Sequence, residues 1–369
     1  MKMKLMLAMM STVALALWSL PASAAAGAVY TMNNASAGNA VIMFNRAASG
    51  ELTAAGTFST GGKGSGAGLG SQGALALNAS NRFLFAVNAG SNSVSSFVVT
   101  ANGLSLIGTA DSGGKNPISL TSFGNRLYVL NDGGAVGSID TIAGFRVDAG
   151  GHLAMMSHGT RLSAPSVGPA EISFNPEGNE LVVTEKGTNK IDIFSLDDEG
   201  LPVGRRVIAS AAETPYGFAF GKRDELFVSD AFGGGAGAGA VSSYYVPSDG
   251  AVRTLDAMAP DGQSAPCWVA VSSDGRFAYT TNTGSGTVSG YAVGYTGQLQ
   301  LLNPNGITAD LGGSSSPIDL AFSNDARFLY VLGPGTGIID GFGVAASGAL
   351  TMGTQATGLP GSTSGLAVR

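Results

Sequence analysis

Residues 278–282 read Ala-Tyr-Thr-Thr-Asn, Val288-Ser289-Gly290-Tyr291 follows, and Gly297 and Leu299 close the unit. An apolar strand ends on a polar residue, a β-branched residue stands three before an aromatic, and a glycine turn leads into a further strand. β-branched and aromatic residues suit a pleated, half-buried surface, and the short polar intervals do not fit a helical period. The first signature recurs at 29–33, 84–88, 127–131, 181–185, 226–230 and 329–333. The second recurs at Val41/Phe44, Val94/Phe97, Ile142/Phe145, Ile191/Phe194, Val241/Tyr244 and Ile339/Phe342. A turn glycine follows each time, as in Gly50/Leu52, Gly200/Leu201 and Gly348/Leu350, the mark of a hairpin.

The strand ahead of each first signature usually opens with proline: Pro117, Pro169, Pro215, Pro266 and Pro317. Proline is tolerated at a strand start, where its missing donor breaks no ladder bond. Each unit is therefore four antiparallel strands, one blade of a propeller, and seven units predict an all-β, seven-bladed β-propeller. The ends agree with a closed ring. The first unit lacks its leading strand, and Gly365-Leu366-Ala367-Val368 supplies an unpaired one at the C-terminus that would complete it and remove exposed edges. No second domain is indicated in residues 25–369, and the Gly-rich stretches 61–70, 133–140 and 232–239 read as surface loops.

The N-terminus carries a secretory pattern. Lys2 and Lys4 precede the apolar run 5–17, and Ala22-Ser23-Ala24 offers a small-residue cleavage site. The run is short of the roughly 20 residues a membrane span needs. Export, a signal peptide over 1–24 and no membrane insertion after cleavage are the expectations. The chain is 12% charged with a formal net charge of −6, and it has no basic run after the signal, which argues against nucleic acid as a partner. No protein partner can be named from the sequence.

Chemistry-bearing motifs are few. Cys267 is the single cysteine, so no internal disulfide forms, and a lone cysteine reads first as a small buried hydrophobe. His152 and His158, the two histidines, share one hairpin without the spacing of a zinc site. Gly235-Ala236-Gly237-Ala238-Gly239-Ala240 imitates a dinucleotide fingerprint but leads into a strand, where the fingerprint needs a helix. No resident cofactor or metal is expected, although grouped carboxylates leave a divalent cation such as calcium open.

Position supplies the candidates. A propeller brings the start of each inner strand and the loop after each second strand toward one mouth of its channel. The first group holds Ala170, Glu171, Tyr216, Cys267, Trp268 and Asp319. The second holds Asn33, Asn88, Asn131, Glu185, Asp230 and Asn282. Glu171, Glu185 and Asp230 are candidate acid/base groups and Tyr216 a candidate hydrogen-bond donor. Trp268, Asp319, Asn131 and Asn282 are candidate ligand contacts. The competing reading is that Asn and Asp end strands because their side chains bond local backbone.

The order of strand, Val-x-x-Phe and Gly-x-Leu, with Pro-led inner strands, resembles the lactonase-type seven-bladed propellers. That group includes 6-phosphogluconolactonase and the carboxymuconate-lactonizing enzyme. Ser273-Asp274-Gly275-Arg276-Phe277-Ala278-Tyr279 and Asn324-Asp325-Ala326-Arg327-Phe328-Leu329-Tyr330 carry the resemblance best. It implies lactone hydrolysis or isomerisation at the channel mouth, with a small-molecule lactone or sugar-derived ligand. The family's His position falls here on Ala170, its Arg position on Tyr216 and its Glu position on Ala231, beside Asp230. Two readings stand: a lactonase with a rewired mouth, and a non-catalytic propeller that binds a small molecule, glycan or protein.

Overall fold

The computed structural model describes residues 25–134, 137–248 and 250–369. The expected signal peptide, 1–24, lies outside the described residues. Seven antiparallel sheets make seven blades, so the repeat read from the sequence is the fold. Blade 1 spans Gly27–Met32, Ala40–Arg46 and Leu52–Ser59, and its innermost strand is the C-terminal Ser364–Val368. That strand pairs antiparallel with Gly27–Met32, Val29 opposite Val368, and so closes the ring. The innermost strands of blades 2 to 7 are Leu75–Leu77, Pro117–Phe123, Pro169–Phe174, Pro215–Phe220, Pro266–Val271 and Asp319–Phe322.

Burial explains the sequence pattern. Every residue of the second strands Glu180–Glu185, Glu225–Asp230 and Phe277–Asn282 is buried, because both faces of each sheet pack on neighbouring blades. Such strands read as continuous apolar runs. Outer strands such as Leu52–Ser59 are largely exposed and do not form continuous large apolar runs. The turn glycines lock blade to blade. Tyr128, Tyr279 and Tyr330 on second strands donate their hydroxyls to the carbonyls of Gly200, Gly348 and Gly50 at 2.6, 2.7 and 2.7 Å. Gly50 has φ +89°, and a Cβ there would lie 2.4 Å from the Phe328 ring. Only glycine accepts both conditions.

In blade 6 the outer position is shared by two short strands, Leu299–Leu301 and Ala309–Asp310, which both pair with Thr287–Val293. The outer strand is broken by the turn Asn303-Pro304-Asn305-Gly306, where Pro304 has no donor for the ladder. The run 61–70 is largely exposed, as expected of a surface loop, and the contacts begin at its end. The segment linking the outer strand of blade 1 to the inner strand of blade 2 crosses the channel mouth, and residues 70–73 bond to blades 3, 4 and 6. The run 235–240 leads into a strand, Ala240–Tyr245.

Candidate functional site

Two residues beyond the prolines Pro117, Pro169, Pro215, Pro266 and Pro317 stand Ser119 in blade 3, Glu171 in blade 4, Gly217 in blade 5, Trp268 in blade 6 and Asp319 in blade 7. A backbone N–H of the next blade faces Ser119, Glu171, Gly217 and Asp319 and, being buried, needs an acceptor. Ser119 Oγ accepts from Ile172 N–H at 3.2 Å, and Glu171 Oε2 accepts from Phe218 N–H at 2.6 Å. Asp319 Oδ1 accepts from Leu320 N–H at 2.9 Å, and Leu366 N–H of the closing strand is directed at the same carboxyl. Gly217 offers no side chain. The donor it leaves, Val269 N–H, is taken instead by Gln72 Oε1 at 3.0 Å, and Gln72 Nε2 donates back to Val269 O at 2.9 Å.

Gln72 thus fills a gap in a ring of inter-blade links, and this fixes the segment 70–73 as a plug. Its backbone N–H donates to Ala170 O at 3.1 Å, Ser71 Oγ donates to Ile118 O at 2.7 Å, and Gly73 O accepts from Leu120 N–H at 2.8 Å. The Trp268 indole N–H donates to Ser71 O at 2.9 Å. Around the plug, Lys186 Nζ donates to Gly70 O at 2.6 Å and lies 4.4 Å from the centre of the Tyr216 ring. Trp268 and Tyr216 rings are 5.2 Å apart. Lys186 and Tyr216 are half-buried, while Cys267 and Trp268 are buried.

Burial tunes these groups. It lowers the Lys186 ammonium to about 8, against smaller opposing effects from Cys267 and Asp132. It raises the Cys267 thiol to about 11 and pushes the Tyr216 phenol above its usual range, so both stay neutral near pH 7. Beneath the plug Glu171 and Asp319 are 7% and 3% exposed. Burial drives both well above the carboxylate range, and for Glu171 the charge of Asp319 adds to it. Asp319 Oδ2 has no hydrogen-bond partner among the described residues.

The other candidates sit elsewhere. Glu185 Oε1 accepts from Ser163 N–H at 3.0 Å, and its Oε2 accepts from the hydroxyls of Ser163 and Thr188 at 2.6 and 2.5 Å. Asp230 is directed outward along its blade, 2.5 Å from Ser242 Oγ on the third strand. Asn282 does the same, donating to Thr287 and Ser289 at 3.0 and 2.8 Å, and Asn131 donates to Ser112 O at 3.2 Å. The structure therefore brings Tyr216, Trp268 and Cys267 together at the mouth and Glu171 and Asp319 together below it. It distributes Glu185, Asp230, Asn131 and Asn282 within separate blades. No group of three or more His, Cys, Asp or Glu residues able to hold a metal occurs among the described residues.

Sequence reasoning missed Lys186 and Gln72. Lys186 follows the second strand of blade 4, where the other blades have Asn34 (one residue later), Ala89, Asp132, Ala231, Thr283 and Pro334. A cation in that register was a readable departure from the repeat. Gln72 stood in a Gly-rich stretch, and only its partnership with Gly217 gives it meaning.

A model of the family described as lactonase, 7-bladed β-propeller, matches residues 23–133 and 205–351. The chain belongs to this lactonase propeller family. Similar solved structures include a Lactobacillus plantarum protein, 16% identical, with TM-score 0.73, covering 93% of this chain and 99% of that one. Another is the periplasmic gluconolactonase of Pseudomonas aeruginosa, 20% identical, with TM-score 0.66, covering 92% and 99%. A candidate 6-phosphogluconolactonase of Bacteroides fragilis is 18% identical, with TM-score 0.68, covering 95% and 99%. At these identities the likeness speaks for the fold. No curated protein matches the sequence. In this lactonase propeller the Ala170 carbonyl anchors the plug and Tyr216 packs under Lys186.

Proposed function

We propose that this lactonase propeller hydrolyses a small uncharged lactone at the plugged mouth, with Lys186 as the proton-transfer group. The observation that carries the reading is the half-buried Lys186 amine, held near pKa 8 beside the Tyr216 phenol. A group poised near the working pH both accepts and returns a proton efficiently. The Lys186 amine takes a proton from water as the water oxygen bonds to the lactone carbonyl carbon. The ring C–O bond then breaks, the ring oxygen receives that proton from the Lys186 ammonium, and a hydroxy acid leaves. Tyr216, neutral at this pH, is the hydrogen-bond donor to the carbonyl oxygen.

The carboxylates named from the sequence have other engagements. Glu185 accepts from three donors, Asp230 faces Ser242, and Glu171 is a link to Phe218 N–H. In this reading Glu171 and Asp319 position the inner strands. The uncharged substrate class follows from the formal net charge of −6 and from the absence of an arginine at the position aligned to the family's Arg. An exported location, read from the N-terminal sequence, is part of the same proposal.

The plug favours a second reading, a propeller that binds a ligand without turning it over, since five hydrogen bonds from Ser71, Gln72 and their partners hold the mouth shut. Proton release from a panel of neutral sugar lactones, aliphatic lactones and 6-phosphogluconolactone, with and without calcium, separates the two. Saturable turnover of a neutral lactone, reduced at least a hundredfold in Lys186→Met, supports hydrolysis. Silence across the panel from the folded protein would select the binding reading.

A further inference from the structure

A groove of about 400 Å³ lies between blades 5 and 6, at the end of the blades away from the plugged mouth. Its volume falls within the roughly 300–1,000 Å³ typical of small-molecule sites. The repeat itself supplies the control. Three cross-strand positions near this end are Phe83, Val98 and Ser105 in blade 2, then Phe277, Ala292 and Gln300 in blade 6. In blade 5 they are Glu225, Tyr245 and Arg253. Blade 4 shares the carboxylate, with Glu180, Ser195 and Gly204 at these positions, and blade 3 has Arg126, Arg146 and Ala154, so what sets blade 5 apart is the phenol beside a guanidinium at the second and third positions.

The arginines depart too. In blades 2, 6 and 7 the residue before the second strand's first phenylalanine is an arginine stacked on that ring, at 4.9, 5.1 and 5.3 Å. In blade 5 the arginine is displaced to Arg223, which lies 5.2 Å from the Tyr295 ring of blade 6 and pairs with Glu225 at 2.6 Å. Arg253 stacks on Tyr245 at 4.7 Å and makes no ion pair or hydrogen bond among the described residues. Tyr295 is 85% exposed. A large ring held in water by a cation behind it presents its other face to solvent.

We propose that this groove binds a uronic acid unit of an acidic glycan. Arg253, with its donors unspent, matches a carboxylate in planar, bidentate fashion. The open face of Tyr295 offers an apolar platform for the C–H face of a sugar ring while its hydroxyl stays wet. The hydroxyls of Thr254 and Thr296, which also line the groove, suit sugar hydroxyls. A free phosphate would use the arginine and leave the rings without a role. Arg253 has no carboxylate partner among the described residues, which leaves its charge for an anion at close range.

Isothermal titration of the purified chain with trigalacturonate, maltotriose and inorganic phosphate tests the site. Saturable trigalacturonate binding is expected, weakened at least tenfold in Arg253→Gln and in Tyr295→Ala and weakened again by salt. Maltotriose binds far more weakly. Both substitutions are at exposed positions, and unchanged melting curves show that the fold is intact. His152→Ala, in a different inter-blade groove, leaves binding as it was. The proposal is overturned if trigalacturonate does not bind or binds equally to both variants. It is also overturned if phosphate or maltotriose matches trigalacturonate, or if His152→Ala loses binding to the same degree.

Discussion

Asp230 shows how a single proton can be located by counting donors. Ser242 Oγ lies 2.5 Å from Asp230 Oδ2 and 2.6 Å from Ala257 O, and one hydroxyl hydrogen cannot serve two acceptors. The contacts are consistent if Asp230 is protonated and donates to Ser242, which donates to Ala257. Asn88 and Asn282 hold the same place and make the same chain, through Ser95 to Thr60 O and through Ser289 to Gly306 O. Asp230 therefore acts as a protonated stand-in for asparagine, and burial raises its carboxyl to about 8. An unfolded chain would release that proton near pH 4. Stability from this group is present below that pH and declines as the pH rises toward 8, because only the folded state keeps the proton. Asp230→Asn removes the titration. Its melting temperature at pH 7.5 is expected to exceed that of the parent by about 2–4 °C. The gain should shrink toward pH 4, and calorimetry at the two pH values reads it directly. The sequence placed Asp230 in the right register, yet its role emerged only from the Ser242 contact.

At the scale of elements, the plug is what the sequence concealed. The strands were legible because each carries its own pattern, and the proline openings marked where inner strands start. The segment 61–73 has no such pattern. Residues 62–66 bond to Asn34, Ala35 and Asn39 of blade 1, while Gln72 answers to Gly217, far away in sequence, which leaves Val269 N–H for it to accept. A Cβ at Gly217 would lie 2.3 Å from Gln72 Oε1, so Gly217→Ala should displace the plug. Gln72→Ala should leave a buried donor unpaired, a cost of about 1–3 kcal/mol. Trp268 reports on both, because its indole bonds to Ser71 O and it is the one tryptophan outside residues 1–24. Its fluorescence is expected to shift to longer wavelength in both variants, as water replaces the lost contact. Unchanged emission in both would mean that the plug does not depend on the Gly217–Gln72 fit.

Across the whole molecule, closure by Ser364–Val368 makes the seven blades one body and joins the first and last strands of the described residues in the same sheet. The repeat made this readable: the missing first strand and the surplus last strand implied each other. Export remains an expectation of the N-terminal sequence. Mass spectrometry of protein recovered outside the cytoplasm should find a chain that begins at Ala25, and a full-length chain retained inside would contradict it. The mouth was less legible than the ring. The resemblance pointed to Ala170, Tyr216 and Ala231, whereas the group proposed to move the proton is Lys186, one blade earlier in the register of Ala231. The measurement that bears most directly on the central claim is the pH dependence of kcat/KM for a neutral lactone, in the parent and in Lys186→Met. The account predicts a rise through about pH 8 as the Lys186 amine loses its proton, and a flat, at least hundredfold lower profile in the variant. Equal activity in the two proteins, or a profile that rises with a carboxylate near pH 4, would contradict it.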